Sequence, residues 1–111
     1  TQLFKKVIKI NPYHADAYYN LGFAYYIQGN FVIAIEMYEK AIELDPDYAS
    51  AYNNLGIVYK TQGNLTKAIQ SFKKTIELNP DDAQAYYNLG DIYFDQGNLN
   101  KAIQMWEKQR Y

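Results

Sequence analysis

The sequence repeats with a period of 34 residues, and this feature constrains the fold more than any other. Three prolines and two sets of glycines recur at that spacing: Pro12, Pro46 and Pro80; Gly22, Gly56 and Gly90; Gly29, Gly63 and Gly97. Nearly half of the aligned positions carry the same residue in all three units. A period of this length indicates a stack of similar small units, because no single unit can bury its own apolar face.

Each unit is predicted to form two helices. In the first helix Tyr18, Leu21 and Tyr25 have the i, i+3, i+7 spacing of one helical face. A glycine after that helix suits a C-cap, and the proline at the end of each unit stops the second helix. The aspartates after the prolines, Asp47 and Asp81, are predicted to cap the next helix. The predicted helices are 15–28, 49–62 and 83–96 (first helices) and 32–44, 66–78 and 100 onward (second helices).

Small residues and tyrosines have a packing explanation. Gly22 and Ala34 are expected where the two helices of one hairpin cross, because larger side chains would hold the backbones apart. Glycine within a helix costs about 1 kcal/mol relative to alanine, so close contact must offset it. Six of the 13 tyrosines recur at apolar positions of the first helices and are predicted to lie in the core.

Composition excludes several functions. The 111 residues carry a formal charge of −1, without the basic footprint of a nucleic-acid binder or a polybasic membrane patch. No apolar run is long enough to span a bilayer. There is no cysteine and His14 is the only histidine, so we predict no metal site, no cofactor and no enzyme activity. The absence of a targeting signal favours the cytoplasm.

The residues that recur also carry a family resemblance. Tyr18, Leu21, Gly22, Tyr25 and Ala34, with their counterparts in the later units, resemble the pattern of the tetratricopeptide repeat (TPR) family. The resemblance implies an all-α solenoid of antiparallel helical hairpins that forms a right-handed superhelix. The implied single array comprises residues 1–14 (second helix of a partial repeat), 15–48, 49–82 and 83–111 (truncated). Thr75 and Gln109 depart from the pattern, since both occupy the position of Ala41.

Comparison of the units with one another indicates where a ligand could bind. Five positions of each first helix vary in chemistry between units, and at 100° per residue they fall on one arc, away from the face that packs. Several members of this arc are large and apolar, which is typical of an interaction surface. TPR arrays resemble this chain in placing that face on the concave side, where it binds peptides. The predicted groove residues are Tyr19, Asn20, Phe23, Tyr26, Asn53, Asn54, Ile57, Lys60, Tyr87, Asn88, Asp91 and Phe94. The alternative is that these side chains are surface that varies without functional consequence.

One asparagine per unit, Asn20, Asn54 and Asn88, lies at the edge of this arc. A carboxamide both donates and accepts hydrogen bonds, so a ladder of them could hold the backbone of an extended peptide. The groove of O-GlcNAc transferase is similar in having such a ladder. Asparagine is also common at this position in TPR sequences, and the two explanations stay open.

The chemistry of the groove predicts its partner. Co-chaperone TPR domains bind carboxylates through a clamp of lysine, arginine and asparagine, but at the matching positions of this chain only Asn54 agrees. We therefore expect no carboxylate-clamp binding. The groove is aromatic in its first unit and acidic in its third, through Asp91 and Asp95, which favours a protein or peptide ligand that is apolar with a basic end.

Two other functions are kept as alternatives. The chain opens on an orphan second helix and ends without a separate capping helix, so uncapped ends could stack into a homo-oligomer. The start without methionine, in the middle of a unit, also fits a fragment that recruits substrate for a larger enzyme.

Overall fold

Six helices form three consecutive helical hairpins in a computed structural model, which describes residues 14–108. Their bounds are α1 Ala15–Ile27, α2 Phe31–Leu44, α3 Ala49–Thr61, α4 Leu65–Leu78, α5 Ala83–Asp95 and α6 Leu99–Lys108. The predicted all-α solenoid is confirmed. The helix predicted within residues 1–14, apart from His14, and the departure at Gln109 lie outside the described residues.

The helices α3 and α5 begin at caps one residue later than the aspartates predicted for that role, Asp47 and Asp81. The N-caps of α1, α3 and α5 are His14, Tyr48 and Asp82, one repeat apart. Asp82 Oδ1 accepts from the Ala85 N–H at 3.1 Å, and His14 Nδ1 accepts from the Ala17 N–H at the same distance. The aspartates directly after the prolines lie one residue too early, since proline and the residue after it form the turn that precedes the cap.

The turn inside each hairpin depends on one glycine and one asparagine. Gly29, Gly63 and Gly97 have φ of 81°, 83° and 80°, in the left-handed region that glycine adopts without steric cost. The asparagine after each glycine caps the second helix through its side chain, as when Asn98 Oδ1 accepts from the Lys101 N–H at 3.2 Å. Each second helix therefore begins one residue earlier than predicted.

Within a hairpin, a glycine of the first helix lies against an aromatic ring of the second. A Cβ built on Gly22 would lie 2.8 Å from the Tyr38 ring, and one on Gly56 would lie 2.8 Å from Phe72. The Tyr38 and Phe72 side chains are fully buried. The close approach predicted for Gly22 is confirmed, although the residue across the interface is the aromatic Tyr38.

The hairpins stack so that the two sets of helices form different sides of the molecule. Each second helix packs on the next first helix, and successive first helices also contact one another. Among residues 14–108, the second helices do not contact one another. The result is an elongated stack of 48 × 25 × 18 Å, with closely spaced first helices on one side and separated second helices on the other.

Candidate functional site

The candidate site is the side of the stack formed by α1, α3 and α5, which we call the groove face. Its residues are those that vary between units, together with the recurring asparagine. They point away from the core residues of the same helices, of which Leu21, Leu55 and Leu89 are buried. The repeat aligns the three helices, so equivalent side chains follow one another along this face.

Aromatic side chains are exposed on the groove face at both ends. Phe23 on α1 and Tyr87 on α5 are each 50% exposed, and Phe94 on α5 is 51% exposed. Tyr26 is half-buried against Phe31, with ring centroids 5.6 Å apart. Ile57, between the two ends, is also half-buried. The face thus presents apolar surface to solvent, which is typical of an interaction site.

Tyr19 belongs to a polar and aromatic cluster where the first two hairpins meet. Its ring stacks on Tyr48, with centroids 5.1 Å apart, and its hydroxyl accepts from Asn54 Nδ2 at 3.0 Å. The Tyr48 hydroxyl donates to Asp16 Oδ1 at 2.6 Å. Burial, followed by this hydrogen bond and the negative charge of Asp16, raises the pKa of Tyr48. Tyr19 therefore joins two hairpins as well as lining the groove face.

The three asparagines of the predicted ladder have different surroundings. Asn20 is exposed. Asn54 is half-buried and donates to both Tyr19 Oη and, at 3.3 Å, Tyr38 Oη. Asn88 is half-buried, and its Nδ2 is buried without a hydrogen-bond partner among the described residues. The three asparagines therefore do not form a ladder of equivalent contacts.

The repeat explains why the Asn88 amide lacks a partner. The counterparts of Tyr19 and Tyr38, which accept from Asn54, are Asn53 and Phe72 in the next unit, so both hydroxyl acceptors are lost. Asn53 is 5% exposed and lies beneath the groove surface, where its Nδ2 donates to Gln84 Oε1 at 3.0 Å. The Asn53 Oδ1 is also buried and unpartnered within residues 14–108. Among the described residues, one buried donor (Asn88 Nδ2) and one buried acceptor (Asn53 Oδ1) are thus unsatisfied where α3 and α5 meet.

The charges of the groove face partly cancel. Lys60 on α3 forms an ion pair with Asp91 on α5 at 2.5 Å, and both side chains are about one-third exposed or less. Asp95 is exposed and forms no ion pair with any residue in the described range. The acidic character expected from two aspartates is therefore concentrated at Asp95.

The described residues provide neither a membrane span nor a metal-binding cluster. From His14 to Lys108, no helix is long and apolar enough to cross a membrane. That stretch also contains no cluster of three or more histidine, cysteine or acidic side chains with the geometry to hold a metal ion.

Sequence reasoning missed the residues that join neighbouring hairpins. Tyr48 and Asp16 form one such contact, and Asn53 with Gln84 forms another, each 31 or 32 residues apart in sequence. A sequence separation close to the repeat length is the one signal that could indicate such contacts, because equivalent positions of successive units become neighbours in a stack. The residue types alone do not indicate which of these side chains pair.

Comparisons with known families and structures agree with this geometry. Two family profiles, both described as tetratricopeptide repeat, match residues 13–81 and 71–104. No curated protein matches the chain.

Solved structures of MamA resemble the chain over almost its full length. One has a TM-score of 0.92 and 35% identity, and covers 96% of this chain and 62% of its own. A second has a TM-score of 0.90 and 35% identity, with coverage of 96% and 58%. A third, MamA AMB-1, has a TM-score of 0.83 and 21% identity over 98% of this chain and 60% of its own, a level that supports the fold alone. The chain spans about three-fifths of these MamA chains.

Proposed function

The chain belongs to the tetratricopeptide repeat family, a class of protein-interaction scaffolds, and we propose that it binds an extended peptide segment of a protein partner on its groove face. The peptide is apolar in sequence, with a basic residue opposite Asp95. Binding is the whole of the proposed activity, and no catalytic step is part of it.

The observation that carries the proposal is the exposed aromatic surface on the first helices. Phe23, Tyr87 and Phe94 each leave about half of their surface in water on the groove face. Removing such surface from water is worth roughly 25 cal/mol per Å². Aromatic residues also contribute a large share of the energy at protein interfaces. An apolar peptide therefore gains most by lying along these three side chains.

A peptide backbone also complements the unsatisfied amides. A buried donor left without a partner costs about 1–3 kcal/mol. A small outward rotation of Asn88 would let its Nδ2 donate to a peptide carbonyl, and the exposed Asn20 is available for a second contact. Asn54 is already engaged with two tyrosine hydroxyls, so its role in the proposal is structural.

The test is a peptide-display selection on the unmodified chain, followed by titration of an enriched peptide into defined variants. The double variant Phe23→Ala with Phe94→Ala removes exposed groove aromatics and is expected to weaken binding by about tenfold or more. Asn88→Ala is expected to weaken binding by about fivefold. Val32→Ala is the control, since Val32 is 66% exposed on the second helix α2, away from the groove face.

Two results would contradict the proposal. One is a selection that enriches no motif on the folded chain. The other is a peptide that loses as much affinity to Val32→Ala as to the double phenylalanine variant. Circular dichroism of each variant establishes that the helices are retained.

End-to-end self-association is a second candidate, favoured by one observation. Leu99 and Ile103 on α6 are 56% and 51% exposed, whereas their counterparts Leu65 and Ile69 are half-buried and pack against the core. An apolar surface of this shape fits a further helix. Light scattering at rising concentration tests this role: growth in mass that Ile103→Lys abolishes would support it, and a monomer at every concentration would exclude it.

A further inference from the structure

A pocket of about 300 Å³ opens on the side of the molecule opposite the groove face. It lies between the second helices α4 and α6, which do not contact each other, and its floor is formed by α5. Tyr86, Leu89 and Tyr93 supply that floor, and Ile76 and Met105 supply the apolar walls. We call this site the seam pocket.

Among the described residues, three lysines and no acidic residue line the seam pocket. Lys73 comes from α4, and Lys101 and Lys108 come from α6. The Lys101 ammonium lies 5.3 Å from the centre of the Tyr93 ring, and that of Lys108 lies 5.8 Å from the centre of Tyr86. Within residues 14–108, none of the three forms an ion pair. Three positive charges thus share one small apolar-floored site in a chain whose net charge is −1.

The equivalent seam between the first two hairpins has a different charge pattern. There Lys67 and Lys74 correspond to Lys101 and Lys108, but Glu39 stands where the seam pocket has Lys73. Burial, and then the nearby Glu39 carboxylate, raises the pKa of Tyr59 at that seam. Lys74 is also held by Glu77 at 3.5 Å. The earlier seam therefore contains its own counterions.

Among the described residues, the seam pocket therefore differs from the earlier seam where Lys73 replaces Glu39, and this change removes a negative charge. Repeat packing alone does not require this, because the Tyr-Leu-Tyr floor is the same at both seams.

From this difference we infer that the seam pocket binds an acidic peptide segment of a partner protein, with an apolar side chain flanked by carboxylates. The apolar side chain contacts Tyr86, Ile76 and Met105, which are half-buried, and the carboxylates pair with the three lysines at the rim. Charge complementarity selects the ligand, and the pocket volume admits one large side chain. This site is separate from the groove face, so it does not depend on the function proposed above.

The test is a titration of the isotopically labelled chain, followed by amide NMR, with a capped peptide in which one phenylalanine lies between two pairs of glutamates. We expect saturable shifts of amides in α4, α5 and α6 around the seam pocket, and affinity that falls as salt is raised. Replacing the glutamates of the peptide with glutamine is expected to weaken binding by at least about tenfold.

Charge reversals in the protein provide a matched pair. Lys101→Glu and Lys73→Glu are each expected to weaken binding by about fivefold or more, since each reverses a rim charge. Lys67→Glu, at the equivalent position of the earlier seam, makes the same change in net charge and is expected to alter affinity by less than about twofold. Equal losses in Lys67→Glu and Lys101→Glu, equal binding of the glutamine peptide, or shifts confined to the groove face would each overturn the inference.

Discussion

Single residues decide how closely the helices of a hairpin approach. Gly22, Gly56 and Gly90 each lie under an aromatic ring of the second helix, Tyr38, Phe72 or Trp106. The ring occupies the space that a Cβ would fill. Close packing therefore offsets the cost of glycine within a helix, because a larger residue at this position would collide with the ring.

Gly56→Ala is expected to lower the free energy of unfolding by about 1–3 kcal/mol, even though alanine favours the helical backbone. The added Cβ would lie 2.8 Å from the Phe72 ring, which is fully buried. Urea denaturation measures the change. When Gly56→Ala is combined with Phe72→Leu, the decrease in unfolding free energy is expected to be smaller than the sum of the decreases in the two single variants. Additive losses would show that the ring is not the cause.

The stability of the chain is expected to fall above pH 10 because of Tyr38. Burial, only partly offset by the hydrogen bond from Asn54, raises the pKa of Tyr38 from 10.0 to about 12. Between these values the unfolded chain has lost the proton that the folded chain retains, so rising pH favours unfolding. The contribution is about 2–3 kcal/mol when complete.

Tyr38→Phe provides the comparison for this pH effect. Unfolding free energies of the parent and of Tyr38→Phe, measured from pH 8 to pH 12, are expected to converge or cross as pH rises. Lysine titration affects both chains alike. Parallel curves would mean that Tyr38 titrates normally in the folded chain.

At the scale of elements, the capping residues and turns that bound the helices lie at equivalent positions of the repeat units. The second helices have the same cap throughout, Asn30, Asn64 and Asn98. The first helices have three different caps, of which only His14 and Asp82 bond through the side chain. Tyr48 instead uses its hydroxyl to contact the preceding hairpin. The start of α3 therefore depends more on packing between hairpins than on local capping.

Asp82→Ala is expected to destabilise the chain by about 1 kcal/mol, because it removes the acceptor of the Ala85 N–H at the start of α5. Asp81→Ala, one residue earlier, is expected to have little effect, since Asp81 is exposed and does not cap the helix. Thermal denaturation of both variants distinguishes them. A larger loss from Asp81→Ala would restore the capping role first predicted for the residue after proline.

At the scale of the whole molecule, the stack separates two surfaces. The groove face lies on the first helices, which contact one another, and the seam pocket lies between second helices that do not. Both surfaces use α5, but on opposite sides, so Phe94 and Tyr93 point in different directions from neighbouring positions. Under the two proposals, one short array would contact two partner segments at once.

Binding at the two surfaces is expected to be independent. Lys101→Glu should leave the affinity of a groove peptide within about twofold, and the double phenylalanine variant should leave the seam-pocket peptide equally unaffected. Titration of each peptide in the presence of saturating amounts of the other measures any coupling. A change of tenfold or more would indicate that both peptides occupy one surface.

The fold could be predicted almost completely from the repeat, and the candidate site only in part. Periodicity identified six helices to within one residue at their described boundaries, since capping, helix period and proline are local effects. The groove face followed from positions that vary between units. The different roles of Asn54 and Asn88 did not follow, because they depend on whether a hydroxyl or a phenyl ring lies opposite in another hairpin.

The sequence by itself determined the hairpins, their order and the face of each helix that packs, because these are properties of residues a few positions apart and repeated at a constant interval. Only the tertiary structure decided the pairing of Lys60 with Asp91, the burial of Asn53 and the grouping of three lysines at the seam pocket. Each of these depends on the distance between side chains from different hairpins. That distance is set by how the hairpins stack, and the stacking is not determined by any single repeat unit.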